Sequence, residues 1–308
     1  MNLIQELFPN RIQKYMQCLE IYIQDIQEIR VRVNAPIIIW MRRKEYTVMQ
    51  NGQLGRVMEE GMVMGANDLE DCVMHICHSS LYAYEEEVKR GYLTIEGGHR
   101  IGVTGQVVLD AEGKVRTIKN ISFLNIRIAH QIENASLAVL PYLYEKRKLQ
   151  NCLIISPPGF GKTTLLRDMI RQVSNGNSYG EGKNCSVVDE RSEIAGCYRG
   201  IPQLNVGMRT DVLDSCPKSV GMMMVIRSMG PQVVAVDELG TLEDIQALFS
   251  VIRSGCSILA TIHGDNLDSL KEKSFLKQVM EEKIFQRYIV IRNNRHEIEI
   301  YNGDLQKC

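Results

Sequence analysis

Eight consecutive residues, 156–163, carry side chains and backbone freedom suited to binding phosphate groups. They read Ser156-Pro157-Pro158-Gly159-Phe160-Gly161-Lys162-Thr163. Two glycines thus precede a lysine and a hydroxyl side chain. A short apolar run, 152–155, comes before the segment, and a helical pattern, 164–170, follows it. The order strand, glycine loop and helix is the context in which such a segment folds around phosphates.

The segment is a P-loop, and each part of it has a physical role. Gly159 and Gly161 permit positive φ, which lets backbone amides curl around phosphate oxygens near the positive end of the following helix. We expect Lys162 to reach the β- and γ-phosphates and Thr163 to offer its hydroxyl to Mg²⁺. The expected ligand is ATP with Mg²⁺, bound by Ser156, Pro157, Pro158, Gly159, Phe160, Gly161, Lys162, Thr163 and Thr164.

A second apolar run, 233–236, ends in the acid pair Asp237-Glu238. A continuous apolar run predicts a buried parallel strand, whose carboxyl end lies at the edge where open α/β sheets place their sites. We expect Asp237 to hold Mg²⁺ through water and Glu238 to activate the water that attacks the γ-phosphate. The alternative, a solvated pair of loop acids, is weakened by the P-loop upstream.

Another predicted strand, 185–189, leads into the acids Asp189 and Glu190. At the same sheet edge these carboxylates can order water around Mg²⁺ or orient the attacking water, and we count Glu190 among the catalytic residues. The alternative is that they cap the turn that follows the strand.

A further apolar run, 257–262, carries Thr261 and ends before His263. At the sheet edge a Thr261 hydroxyl can sense the γ-phosphate. His263 can relay between Glu238 and neighbouring groups, or it can simply bond a backbone carbonyl. We expect His263 to belong to the site.

Phosphoryl transfer builds up charge that an additional cation stabilises, so the arginines matter. Arg227 is the expected catalytic arginine, but spacing does not show which arginine reaches a nucleotide. The other candidates are Arg100, Arg116, Arg127 and Arg209. An arginine donated by a neighbouring subunit would require an oligomer, and a structural ion pair is the ordinary alternative for each.

Composition fits a reduced, cytosolic nucleotide enzyme. The 308 residues carry a formal net charge of −1 and 6% aromatic residues, so we expect no nucleic-acid partner. Nine scattered cysteines form no C-x-x-C pair. A zinc site at Cys72, His75, Cys77 and His78 is a disfavoured alternative. No apolar run reaches the ~20 residues that span a bilayer, and the start of the chain does not look like a signal peptide.

The chain divides by pattern into a smaller α+β domain, 1–131, and an α/β domain, 132–308. In the first, helical spacing over 1–27 gives way to alternation over 28–49. A helix over 67–90, with Asp68 as its N-cap and Gly91 ending it, precedes strands over 92–128.

In the second domain, a helix over 135–149 leads to strands at 152–156, 185–189, 233–237 and 257–262. Two more strands follow over 284–301. Alternating strands and helices predict a mostly parallel sheet.

Several phrases together resemble a known family. Three features resemble the secretion ATPases of type II and type IV systems. They are an arginine before Pro231, the strand ending in Asp237-Glu238, and the Thr-x-His sequence 261–263 followed by Asn266. Within that group, the chain is most similar to the sporulation stage III AA family. The phrases that carry this likeness are 28–32, 91–105, 188–194 and 209–213.

The resemblance implies a RecA-like motor ATPase that forms a homo-oligomer, in all expectation a hexameric ring. It further implies work in the mother cell of endospore-forming bacteria, at the inner face of a channel complex, with membrane-embedded sporulation channel proteins as partners. Two positions depart from the pattern. Ser156 replaces the first glycine of the P-loop, and Asp237 stands where many secretion ATPases have glycine.

Two other functions stay open on the residues alone. One is a nucleotide-dependent assembly switch with slow hydrolysis, which would not need a base at Glu238. The other is a nucleic-acid motor, which needs only a few lysines around a ring pore. The chain lacks a guanine-reading Asn-Lys-x-Asp motif, which favours ATP over GTP.

Overall fold

The computed structural model describes residues 3–78, 84–292 and 297–308. The chain divides into two compact units, Met1–His130 and Gln131–Cys308, where the sequence pattern placed the division between 131 and 132. Each unit has its own seven-stranded sheet. Among the described residues, no helix combines the length and the hydropathy that a membrane crossing requires.

The first unit is an antiparallel sheet with helices packed on one face. Its strands lie in the order β4-β3-β2-β1-β7-β6-β5. They are β1 (Ile26–Arg32), β2 (Ile38–Met41), β3 (Lys44–Val48), β4 (Leu54–Gly55), β5 (Tyr92–Thr94), β6 (Arg100–Leu109) and β7 (Val115–Arg127). Its helices are α1 (Leu3–Leu7), α2 (Asn10–Met16), α3 (Ala66–Ile76) and α4 (Glu85–Lys89).

The predicted helical segments of this unit are shorter and more broken than expected. Pro9 separates α1 from α2, and a 3₁₀ turn, Gln17–Tyr22, continues from α2. Asp68 is not the N-cap of α3, which is Gly65. Asp68 lies at the third helical position, where its carboxylate accepts the Gly65 amide at 2.9 Å. The predicted helix 67–90 is two helices, and part of it, 79–83, lies outside the described residues.

The second unit is a mostly parallel sheet with helices on both faces, in the order β12-β11-β13-β14-β10-β15-β16. Only β16 pairs antiparallel, with β15. Its strands are β10 (Cys152–Ser156), β11 (Cys185–Asp189), β12 (Thr210–Asp214), β13 (Val233–Val236), β14 (Ser257–His263), β15 (Arg287–Arg292) and β16 (Glu297–Asn302). Its helices are α5 (Leu140–Leu143), α6 (Lys162–Asn175), α7 (Lys218–Ser228), α8 (Leu242–Arg253), α9 (Asp268–Lys271) and α10 (Lys277–Glu281).

The strands of this sheet are apolar throughout because both of their faces are buried. Alternate residues of β10 belong to different cores. Ile154 packs with α6 residues such as Leu166, whereas Ile155 packs with α7 and α8 residues such as Met222 and Leu248. The predicted strands at 152–156, 185–189, 233–237 and 257–262 therefore form the centre of the sheet, with ends that shift by at most one residue.

Two local predictions in the second unit need correction. The predicted helix 135–149 is wrong, because only α5 is helical and a two-stranded hairpin, β8 (Tyr144–Glu145) and β9 (Lys148–Leu149), follows it. Lys146 and Arg147 both have positive φ, 49° and 64°, the geometry of a tight hairpin turn. The edge strand β12 was not predicted, since its half-polar sequence lies on a partly exposed edge.

Candidate nucleotide-binding and catalytic site

The P-loop connects the end of β10 to the start of α6. Gly159 and Gly161 have φ of 78° and 90°, which ordinary residues rarely adopt. A Cβ added at Gly159 would meet nothing within 4 Å, so the loop opens onto free space there. Ser156 is fully buried, and its hydroxyl donates to the Pro157 carbonyl at 2.8 Å. A serine therefore fits where the usual motif has glycine.

The first two residues of α6 reach the acids that follow β13. The Thr163 hydroxyl donates to Asp237 Oδ2 at 2.8 Å. The Lys162 ammonium lies 2.9 Å from Glu238 Oε1, and its side chain is only 7% exposed. Parallel pairing of β10, β14 and β13 brings these strand ends to one edge of the sheet. The structure thus brings together Lys162, Thr163, Asp237 and Glu238.

The oxygens of Thr163 and Asp237 fit the requirements of Mg²⁺, which prefers hard oxygen ligands. Both face one another across the mouth of the P-loop, as the 2.8 Å hydrogen bond shows. The second carboxylate oxygen of Asp237 accepts a hydrogen bond from the Thr261 hydroxyl. Asp237 is thereby oriented from β14 with Oδ2 toward α6.

Thr261, near the end of β14, contacts both Asp237 and Glu238. It is fully buried, and its hydroxyl accepts the Glu238 amide at 2.8 Å while it donates to Asp237. Its carbonyl also accepts the Leu239 amide at 2.9 Å. The hydroxyl therefore supports both acids, and its sensing of a γ-phosphate stays a prediction.

Glu238 lies at the centre of a cluster of three basic side chains. Lys162 and His263 contact its Oε1 at 2.9 and 2.8 Å, and Arg191 contacts Oε2 at 3.2 Å. Burial acts to raise the pKa of this carboxyl, but Lys162, His263 and Arg191 outweigh it and hold the pKa below its usual value. The residue also has φ of 54°, an uncommon backbone for glutamate.

His263 lies at the rim of this cluster, where its side chain is 42% exposed. Its Nε2 contacts Glu238, whereas its Nδ1 is buried without a hydrogen-bond partner among the described residues. The predicted relay between Glu238 and other groups stays a prediction, and the alternative contact with a backbone carbonyl is not the one that the structure gives.

The acids at the end of β11 are used differently. Asp189 is 1% exposed, and its carboxylate accepts the amides of Glu193, Ile194 and Ala195 at 2.9, 3.0 and 2.8 Å. Burial raises the pKa of Asp189 to about 6, against the lowering effect of those amides. Glu190 forms an ion pair with Lys218 of α7. Asp189 thus caps the following turn, and Glu190 does not join the cluster around Glu238.

Neither of the two candidate arginines in the second unit contacts Glu238 among the described residues. Arg227 ends α7 on the exposed groove between α7 and α8, before β13 begins, and so lies toward the opposite edge of the sheet. Arg209 donates to the Ser174 carbonyl near the end of α6 at 3.0 Å. The remaining three belong to the first unit. Arg100 lies 3.7 Å from the Tyr92 ring, Arg127 reaches Glu28 at 4.0 Å, and Arg116 is exposed.

Two arginines that the sequence analysis passed over lie near the cluster. Arg191 contacts Glu238, and Arg167 of α6 is buried beneath the turn after β11. Arg167 donates to the carbonyls of Ile194 and Glu193, the latter at 2.7 Å. The available signal for Arg191 was its position directly after Asp189-Glu190, at the end of a predicted strand.

An apolar cavity of about 280 Å³ adjoins the P-loop within the second unit. It is lined by Ile132, Ala135, Phe160, Gly161, Thr164, Leu165, Ile291 and Ile298. Phe160 and Thr164 thus lie beside a slot that could accept a flat apolar group. Pro157 is half-buried and Pro158 is exposed, so both shape the loop without contributing a polar side chain.

No three histidine, cysteine or acidic side chains are arranged to hold a metal ion in the described ranges. At the alternative zinc position, His75 Nε2 lies 2.8 Å from the Gln5 carbonyl. Cys72 and Cys77 are buried, which raises the pKa of their thiols to about 12 and about 11.

Comparison with known sequences identifies the family of this chain. A profile of the family described as sporulation stage III, protein AA, matches residues 1–304. The chain belongs to this family. Stage III sporulation protein AA of Bacillus subtilis is 41% identical over 290 residues, which cover 94% of this chain and 90% of that protein. The resemblance of the quoted phrases is thereby confirmed.

Solved structures show the same fold at low sequence identity. The ATPase DotB of Yersinia pseudotuberculosis is similar with a TM-score of 0.61 and 12% identity, over 97% of this chain and 81% of that one. The pilus retraction motor PilT, solved with bound ADP, gives a TM-score of 0.58 and 13% identity, over 95% and 78%. The predicted RecA-like α/β fold with a preceding domain is confirmed.

Proposed function

We propose that this chain is a Mg²⁺-dependent ATPase that drives a secretion-like complex in endospore formation. The observation that carries the proposal is the ion pair between Lys162 and Glu238 at the mouth of an open glycine loop. A lysine that binds phosphates and a glutamate that activates water are here held 2.9 Å apart, next to the oxygens of Thr163 and Asp237.

In this account Lys162 changes partner when ATP binds. The P-loop amides and the start of α6 attract the β- and γ-phosphates, and Lys162 turns from Glu238 Oε1 toward them. Mg²⁺, held by Thr163 and Asp237, would neutralise part of the phosphate charge. Glu238 Oε1 then becomes available to accept a proton from the attacking water.

His263 contacts the same oxygen of Glu238 at 2.8 Å, so it is placed to keep the carboxylate oriented while Lys162 is away. Its exposed rim position suits a group that also meets solvent or a nucleotide. The cavity beside Phe160 and Thr164 is the best candidate for the base, since its walls are mostly apolar and adjacent to the loop.

The proposal extends to a homo-oligomeric ring, in which a neighbouring subunit supplies an arginine that stabilises the charge on the transferred phosphate. Membership in the sporulation family supports a role in endospore formation. The shared fold with an ATPase and a pilus motor supports a motor. We place its work in the mother cell, on membrane-embedded channel proteins.

Steady-state ATPase activity across a series of protein concentrations tests this function. A self-assembling motor with shared sites gives a rate per molecule that rises with concentration. Tight binding of MgATP without turnover at any concentration would contradict the ATPase and support the assembly switch. Stimulation by single-stranded DNA or RNA would instead support a nucleic-acid motor.

A further inference from the structure

We propose that Arg191 is a positioning residue that holds the carboxylate of Glu238 ready for the attacking water. The inference rests on the proposed ATPase function and adds to it an arginine supplied by the same chain. Among the described residues, it concerns the side-chain contact of Glu238 that involves neither the P-loop nor β14.

The two oxygens of the Glu238 carboxylate have different partners. Oε1 is shared by Lys162 Nζ at 2.9 Å and His263 Nε2 at 2.8 Å. Oε2 is contacted by Arg191 Nη1 at 3.2 Å. Departure of Lys162 to the phosphates therefore leaves His263 as the remaining contact of Oε1 and leaves the Arg191 contact at Oε2 intact. Held at Oε2, the carboxylate presents Oε1 to water instead of rotating about its terminal bond.

The backbone of Glu238 is already fixed, so its side chain is what needs orientation. The Thr261 hydroxyl accepts the Glu238 amide at 2.8 Å, and φ is held at 54°. A misplacement of a catalytic group by about 1 Å can lower a rate by roughly 100-fold. A directional guanidinium at Oε2 removes that freedom at the reacting end.

The turn that carries Arg191 is fixed from two sides by buried charges. Asp189 accepts three successive amides, those of Glu193, Ile194 and Ala195. Arg167 donates to the carbonyls of Glu193 and Ile194. Burying both charges is costly unless their hydrogen bonds are satisfied, as they are here. The clamp sets the backbone from which the Arg191 side chain reaches Glu238.

Arg191 itself contributes little to stability, which makes it a clean site for substitution. Its side chain is 63% exposed, and an ion pair of that exposure has a small effect on folding. Arg199 offers a matched control. It is an exposed arginine in the same connection between β11 and β12, and it lies 5.1 Å from the Tyr198 ring.

The experiment measures kcat and KM for MgATP in the full chain and in Arg191→Gln, Arg191→Lys and Arg199→Gln. We expect Arg191→Gln to lower kcat by roughly 10- to 100-fold with KM within about threefold of the unsubstituted chain. Arg191→Lys retains the cation for this single contact and returns kcat to within about fivefold. Arg199→Gln leaves both constants unchanged.

A second readout separates positioning from direct contact with phosphates. MgATP binding is measured by calorimetry in Glu238→Gln with and without Arg191→Gln. Equal affinities support action through Glu238, and a tenfold weaker affinity in the double variant would overturn it. If the unsubstituted chain is active and Arg191→Gln has the same kcat, the inference about Arg191 is overturned and the proposed function is not. An inactive unsubstituted chain overturns the proposed function and the inference together.

Discussion

Two acid pairs end neighbouring strands of the same sheet, and the molecule uses them in opposite ways. Asp189 is the last residue of β11 and Glu190 comes next, whereas Asp237-Glu238 follows β13. The carboxylate of Asp189 is saturated by three backbone amides, whereas that of Asp237 faces the hydroxyls of Thr163 and Thr261. Glu190 pairs with one lysine outside the cluster, whereas Glu238 is contacted by a lysine, an arginine and a histidine.

The difference between the two pairs lies in which part of α6 each one meets. The first turn of α6 presents Lys162 and Thr163 to the pair after β13. The next turn presents Arg167 to the carbonyls of the turn after β11. An acid pair at the functional edge of a parallel sheet is therefore not a site by itself. Its role depends on whether the partners are mobile side chains and hydroxyls or fixed backbone groups.

Among the substitutions that test this comparison, Lys162→Ala is expected to have the largest effect. It removes the partner of Glu238 and the cation for the phosphates, so kcat should fall by about 100- to 1000-fold. Affinity for MgATP should fall at least tenfold as well. Calorimetric titration and a phosphate-release assay measure both. Unchanged affinity would contradict the P-loop assignment.

Asp237→Asn and Asp189→Asn are expected to affect different properties, the first mainly turnover and the second mainly stability. Asp237→Asn should lower turnover by about 100-fold while changing the free energy of unfolding by less than about 1 kcal/mol. Asp189→Asn replaces one carboxylate oxygen by an NH2 group, so at least one of the three amides loses its acceptor, and the free energy of unfolding should fall by about 2 kcal/mol. Urea denaturation and MgATP turnover of both variants check this. If only Asp237→Asn lost stability, the roles assigned to the two acid pairs would be contradicted.

A smaller effect is expected from Thr261→Val, which keeps the shape of the side chain and removes its hydroxyl. Asp237 then loses a donor and the Glu238 amide loses its acceptor, so kcat should fall by about tenfold. Thr261→Ser, which keeps the hydroxyl, is the matched control and should stay within about threefold. A Thr261→Val enzyme with full activity would show that the acids need no support from β14.

The smallest effect is expected from Glu190→Gln. The ion pair with Lys218 is 38% exposed on the glutamate side, so turnover should change by less than about threefold and stability by less than about 1 kcal/mol. Steady-state MgATP hydrolysis and urea denaturation check both. A loss as large as that of Asp237→Asn would return Glu190 to the catalytic residues, where its position at the sheet edge first put it.

The sequence indicated the site wherever residue type and chain order together determine position. The P-loop, the buried strands and Asp237-Glu238 follow from patterns local in sequence, because a parallel sheet aligns its strand ends. The roles of Asp189 and Arg167 depend on a turn that closes back onto α6, which no periodicity encodes. Arg191 was visible only as a charge after an acid pair.

The wrong helix at 135–149 has a similar cause. Apolar spacing there fits a helix, but Ser136 instead donates to Asp168 of α6 through its amide at 2.8 Å and its hydroxyl at 2.6 Å. Asp168 is 2% exposed; burial acts to raise its pKa, and the hydrogen bonds from Ser136, Arg171 and Asn134 lower it overall. A tertiary contact thus decides local structure that propensity alone assigns differently.

The central claim is that Glu238 activates water for attack on bound ATP. Glu238→Gln keeps the size of the side chain and removes its basicity, so the most direct measurement is MgATP binding and single-turnover hydrolysis of this variant. The account predicts affinity equal to or tighter than that of the unsubstituted chain, with hydrolysis slower by at least about 100-fold. Hydrolysis at the unsubstituted rate would contradict it.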